Sequence, residues 1–443
     1  MSSFIIQQNG GVLNLTDFIK SNSVPLPDEK AIDSLMEAIG NARCVLLGEA
    51  SHGTHEYYTW RTELSKRLIE EKGFSFIAVE GDWPDCYRLN RYVKSYKDSG
   101  DSAQDVLHAF NRWPTWMWAN WEVIALAEWL REHNRQLPAN KKVGFYGLDV
   151  YSLWESLESI INYLSKVDPA AAKTALKTWE CFEPYTDEGS EYAKATIDPW
   201  VPISCENEVV EMLNEVLFKM PQYNTDHEAV MNTGQNAYVA VNAEHYYRAM
   251  IQAGPTSWNI RDTHMMETLE RLVDFHEPAG KAIVWEHNTH IGDARATGMR
   301  AHGMVNVGQL ARERYGVKNV FAVGFGSHVG HVIAGRKWGD VMRSLPVPPS
   351  KVGSWEHLFH LAGKEDRLML MTPEVMKVLG NREFEHRAIG VVYHPENEVG
   401  NYVSSLMPRR YDAFVFLDET KALHPLHIQP DGHQIPETYP FGV

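Results

Sequence analysis

A short apolar run that breaks off into ionisable residues recurs along this chain, and it restricts the fold more than any other feature. Arg43–Glu49 (RCVLLGE), Phe74–Glu80 (FSFIAVE), Lys142–Asp149 (KVGFYGLD), Lys281–His287 (KAIVWEH) and Asn319–Gly326 (NVFAVGFG) share the pattern. Ala388–Tyr393 (AIGVVY) and Asp412–Leu417 (DAFVFL) are two further candidates. Runs this short, apolar throughout and flanked by Gly, predict strands buried on both faces. Helical patterns separate them. Thr54–Glu71 places Tyr57, Arg61, Leu64 and Leu68 on one face, and Trp121–His133 reads likewise. Strand and helix in alternation predict an α/β protein with a mostly parallel central sheet covered by helices.

From Tyr151 to Glu277 the period is helical almost throughout: Tyr151–Ser165, Pro169–Trp179, Glu206–Phe218, Asp226–Gln252 and Ile260–His276. This predicts a large all-helical insertion between the third and fourth strands. Residues 1–150 then form the first part of the core with a catalytic loop, and 151–278 the insertion, roofing the cleft. Residues 279–443 form the second part of the core and a closing segment rich in Pro and Gly. A chain of 443 residues exceeds one average domain, but such an insertion accounts for the length.

Composition excludes several partners. Lys and Arg number 42 against 58 Asp and Glu, for a net charge of −16, so the overall field repels nucleic acid and anionic membranes. No run approaches the ~18 apolar residues of a membrane span. The N-terminal MSSFIIQQNGG shows no secretory signal. Cys44, Cys86, Cys181 and Cys205 lie far apart without a C-x-x-C, which argues against a cysteine metal site or disulfide scaffold and fits a reducing cytosol. A cytoplasmic location is expected; the oligomeric state is left open.

In a parallel α/β sheet, ligands bind beyond the carboxyl ends of the strands. All five main runs end there in acids or histidines: Glu49, His52 and His55; Glu80, Asp82 and Asp85; Asp149; Glu286, His287 and His290; His328 and His331. A shared cleft is predicted at that edge. His52, in the loop GEASHGTHE, is the candidate general base, since imidazole transfers protons near neutrality. Glu49 or Glu80 is the natural partner for Arg61, a cation on the apolar face of a helix that would be costly to bury unpaired. His287 and His290 form H-x-x-H, a weak metal signature and a candidate oxyanion site. GFGSHVG fits a dinucleotide fingerprint only loosely, and no phosphate loop is present. No G-x-S-x-G elbow occurs; EASHG comes nearest, which leaves Ser51 a minor candidate as nucleophile. Trp113, Trp116, Trp118 and Trp121 suit either an apolar pocket or core packing.

The chain resembles the erythromycin esterase family of hydrolases. The resemblance runs through GEASHGTHEYYTWRTEL, VEGDWPDCYRLNRYV, FNRWPTWMWANWEV, GFYGLDVYSL, NAEHYYRAM, SWNIRDTHMMETLERL, HNTHIGDARAT and GNYVSSLMPRRYDAFVFLDET, in consistent order. It implies hydrolysis of a carboxylic ester, the family's named substrate being a macrolide lactone whose cleavage inactivates the antibiotic. It points to His52 as the base that activates water, with Glu49, Arg61, Glu80, His287 and His290 around it. It leaves open a divalent metal, for which Glu49, His52, His287 and His290 are the candidate ligands.

The first expectation is therefore an ester or lactone hydrolase that needs no cofactor. Glu49 would orient His52, Arg61 would be fixed by Glu80 or touch substrate, and His287 and His290 would face the oxyanion. The alternatives are a metal-dependent hydrolase using the same cluster, or a binding protein for a metal complex or apolar ligand on a hydrolase-like scaffold.

Overall fold

The computed structural model of the chain describes residues 5–427 apart from 9–10, 98, 186–188, 198–203, 224–225, 253 and 279. The end of the closing segment, from 428 onward, lies outside the described residues.

The centre is a nine-stranded sheet. Its strands in chain order are β1 (Ser23–Pro25), β2 (Cys44–Leu47), β3 (Phe76–Asp82), β4 (Gly144–Asp149), β5 (Ala282–Trp285), β6 (Val320–Ala334), β7 (Arg343–Val347), β8 (Arg367–Leu370) and β9 (Ala413–Thr420). Across the sheet they lie in the order β1-β8-β9-β6-β2-β5-β3-β4, with β7 paired to β6. The six strands from β9 to β4 are parallel; β1, β7 and β8 add antiparallel pairings at one side.

The period of two divides each apolar run between two cores. Val45 and Leu47 face the helix His55–Lys72, through Tyr57, Leu64 and Leu68. Cys44 and Leu46 join the opposite core, where the helix Thr256–Phe275 contributes Met265, Leu269 and Leu272. Burial on both faces is the reason these strands contain almost no polar residue until they end. Gly73 closes the His55–Lys72 helix at φ +66°, a conformation that a Cβ disfavours.

Between β4 and β5 the described residues contain helices and no strand, the longest being Leu153–Val167, Pro169–Phe182, Glu206–Lys219, His227–Met250 and Thr256–Phe275. The first four pack around a core of their own, with Leu157, Ile160, Phe182, Met212 and Tyr247 at its centre. No helix among the described residues is long and apolar enough to cross a membrane.

Three expectations are corrected. Ala388–Tyr393 is not a strand: only Ile389 and Val392 make isolated bridges, and the neighbouring Phe384–Arg387 pairs with Tyr402–Ser405 in a separate ribbon. β6 does not stop at Gly326 but continues to Ala334, because β7 and β9 supply partners for its extension. His328 and His331 therefore lie within a strand, not beyond one. Cys181 and Cys205, read as unpaired, are joined in a disulfide that ties Pro169–Phe182 to the start of Glu206–Lys219. That pair withdraws the cysteine argument for a reducing compartment.

Candidate active site

Three strands distant in sequence but adjacent in space, β2, β5 and β3, end at one rim. Beyond β2 the chain turns through residues 48–54 before entering the helix. Other segments stitch this loop in place by backbone hydrogen bonds. Glu49 O accepts from Asn288 N, Ala50 O from Ile389 N, and Gly53 O from both Ile333 N and Leu423 N. A Cβ on Gly53 would lie 2.0 Å from Ile333 O, so only glycine allows this approach.

The loop holds His52 buried at the edge of a cleft. Its Nδ1 is 2.9 Å from Glu49 Oε1. Glu49 Oε2 accepts from Arg61 Nη2 at 2.6 Å. Arg61 is fully buried, with its guanidinium carbon 4.3 Å from the centre of the Tyr58 ring and 4.7 Å from that of Trp285. The ring faces and the Glu49 carboxylate together stabilise that buried cation. The other ring nitrogen of His52 is Nε2. That atom has no protein partner, and His52 lines the cleft.

A second network stands beside the first. Glu80 Oε1 accepts from Arg261 Nη2 at 2.7 Å, and Glu80 Oε2 accepts from the His287 backbone N–H at 2.9 Å. Asp149 grips the same guanidinium through both oxygens, at 3.0 and 2.7 Å. His290 stacks on Trp258, with ring centres 4.6 Å apart. Its Nδ1 is 2.9 Å from Asp262, and its Nε2 lies 3.2 Å from Arg261 Nη1 and 3.5 Å from Glu80. Burial alone would push this imidazole down, but Asp262 and Glu80 outweigh it and raise His290 to about 9. Burial pushes Glu80 the other way, yet His290 and Arg261 hold it well below the usual carboxylate range.

His287 lies between the two networks. Its ring centre is 5.0 Å from that of His52. Nδ1 accepts from Thr289 N at 3.3 Å, which leaves the proton on Nε2, and Nε2 is buried without a partner. Burial, reinforced by His52, pushes His287 well below the ordinary imidazole value, so the ring is neutral. Burial also raises Glu286 far above the carboxylate range; it is a neutral acid whose oxygens make no hydrogen bond.

The cleft is lined by the apolar Phe110, Trp113, Met117 and Trp118 together with Glu80, Asp149, Tyr151 and Arg261. Trp118 Nε1 donates to Glu80 O, so the tryptophan cluster serves packing and cleft at once. Trp116 is buried behind Trp113, and Trp121 is half exposed. Asp82 and Asp85 line the rim. Burial raises Asp82 to about 7 despite Arg112, and Asp85 to about 6 despite Arg88.

Several site residues are thus placed differently from their expected positions. Arg61 binds Glu49 and makes no ion pair with Glu80, whose partner is Arg261, a residue the sequence reading missed along with Asp262 and Trp258. Arg61 does not line the cleft, and neither do His287 and His290, the latter held at Nδ1 by Asp262 with its Nε2 beside Glu80. Ser51 bonds Thr54 and does not meet the imidazole. His328 stacks on His360 and bonds Ser350, away from the cleft. Glu49, His52, His287 and His290 also fail as a metal cage. Their donor atoms do not gather in threes, and the Arg261 cation already stands beside Glu80 and His290.

A buried imidazole, oriented by a carboxylate and lining a cleft at the carboxyl edge of a parallel sheet, is the equipment of an acid–base enzyme. The family model for erythromycin esterase matches residues 69–420. The chain belongs to the erythromycin esterase family. The matched span begins after the loop that carries Glu49 and His52.

Similarity to individual proteins is more distant. The erythromycin esterase type II of Escherichia coli is 26% identical over 144 residues, 31% of this chain and 32% of that protein. The putative hydrolase YbfO of Bacillus subtilis (strain 168) is 21% identical over 371 residues, 78% of this chain and 79% of that protein. Among solved structures, a succinoglycan biosynthesis protein superposes with a TM-score of 0.73 at 21% identity, covering 93% of this chain and 97% of its own. A mutant of the erythromycin esterase EreC in its open conformation gives 0.65 at 16% identity, covering 89% and 94%. These two share the fold.

Proposed function

We propose that the protein hydrolyses a carboxylic ester or lactone by direct attack of water, with His52 as general base. The observation that supports this reading is the asymmetry of His52: Nδ1 is held by Glu49, while Nε2 has no protein partner and the residue lines the cleft. Water at Nε2 gives up a proton as its oxygen attacks the carbonyl carbon. The proton then passes from His52 to the leaving alkoxide. Arg261, clamped by Asp149 and Glu80 in the cleft wall, faces the developing oxyanion. His287 adds the dipole of its Nε2–H from beside the His52 ring.

The aromatic wall suits an apolar acyl or lactone body. A macrolide lactone is one member of that substrate class, suggested by the names of the relatives. The helical segment 151–278 acts as the roof and sets which body enters, since it supplies Tyr151 and Arg261 to the cleft.

The test is a panel of aryl esters and lactones, with quenched enzyme analysed by mass spectrometry during turnover. Turnover without a covalent acyl adduct is expected. An acyl group on Ser51 would overturn direct attack by water, and no turnover on any member would overturn the hydrolase reading.

A further inference from the structure

We propose that His55, Glu122 and His424 form a binding site for a divalent transition-metal ion, separate from the cleft and independent of the function proposed above. Both imidazole Nδ1 atoms converge on one carboxylate oxygen: His55 lies 2.5 Å and His424 2.7 Å from Glu122 Oε1. The donor atoms of the three residues lie within 4.8 Å of one another, a grouping that no other His, Cys, Asp or Glu residues achieve among those described. Two imidazoles and a carboxylate are the donor set of open tetrahedral zinc sites, in which water takes the fourth position. The Glu122 side chain is only 4% exposed, whereas His55 and His424 are 31% and 60% exposed. The site therefore has a buried anionic floor and an open outer face.

The backbone holds all three ligands in place without an ion. His55 N donates to Lys421 O, and Trp121 N, next to Glu122, donates to His424 O. Thr54 bridges Ala422, and Asn120 bridges Pro425. Ligands fixed in advance lose little freedom on binding. The three also come from three separate segments: the start of the helix that follows the His52 loop, the first turn of Trp121–Arg135, and the chain after β9. An ion here staples that last segment to both helices. Leu423 N donates to Gly53 O, so the staple bears on the loop that carries His52.

The experiment uses the full chain, stripped with a chelator, equilibrated with zinc and dialysed. Bound zinc is counted by mass spectrometry, and melting is followed with and without zinc. Wild type is expected to retain one more zinc ion per chain than His424→Gln or Glu122→Gln, and loss of either ligand should weaken affinity at least ~10-fold. Zinc should raise the melting temperature of wild type and leave both variants unmoved. Should Glu122→Gln fail to fold, His424→Gln decides, because its side chain is largely exposed. Equal zinc and equal melting shifts in wild type and His424→Gln would overturn the proposal and leave a proton-bridged cluster. Zinc-free His424→Gln should retain the hydrolytic rate of zinc-free wild type, since none of the three residues lines the cleft.

Discussion

Two Arg–Glu–His sets lie side by side at the rim of the sheet, and they are wired differently. In the first, Glu49 gives one oxygen to Arg61 and the other to His52, and the far nitrogen of the imidazole is left without a partner at the cleft. In the second, Asp149 and Asp262 are added, and the two ring nitrogens of His290 face carboxylates, Asp262 and Glu80. The residue types are the same; the number of anions is not. Asp262 and Glu80 favour a proton on the His290 imidazole, which makes it a strut. One carboxylate shared with Arg61 leaves Nε2 of His52 without a protein partner. Of these two imidazoles, only that of His52 keeps a ring nitrogen without a protein partner.

The contrast can be broken first at Arg261. Arg261→Ala would leave Glu80 and Asp149 buried with most of their positive partner gone, which should cost about 3–5 kcal/mol in denaturant unfolding. A loss under ~1 kcal/mol would mean that those carboxylates reach water, and the strut reading would fail. The next largest effect falls on the other set and on a different observable. His52→Ala should lose at least ~100-fold in turnover, about 2.7 kcal/mol, while melting close to wild type. Glu49→Gln should also slow turnover, and adding it to His52→Ala should cost no further rate, because an orienting group has nothing left to orient. Near-normal hydrolysis by His52→Ala would move the base elsewhere.

Most of this rim was legible because strand ends are. The apolar runs announced β2, β3, β4 and β5, and the residues at their ends or just beyond are Glu49, His52, Glu80, Asp149, His287 and His290. Strand order was not legible, and it decides the pairings: β5 inserts between β2 and β3, which seats His287 beside His52. Arg261 was missed for a reason that can be repaired. It follows Trp258 by three residues and precedes Met265 by four, so it lies on the apolar face of its helix, as Arg61 does on its own. The burial argument applied to Arg61 would have found it. Its partners would have stayed hidden, since they come from β3 and β4, far away in sequence. His328 misled because a strand long enough to pair on both sides does not end where its apolar run ends.

The smallest effect sharpens the contrast through pH. His290 is raised to about 9 in the folded chain, against an unfolded imidazole near ~6.5. The folded state binds that proton more tightly, so its contribution to stability is complete below ~6.5 and is lost as pH rises through about 9. Wild type should therefore lose melting temperature between neutral and alkaline pH more steeply than His290→Gln, which has no proton there to release. The variant is expected to start lower and run flatter, the two curves drawing together toward pH 10. Parallel curves would show that His290 carries no fixed charge. The two networks would then differ only in which of their histidines reaches the cleft, and not in how protons are held.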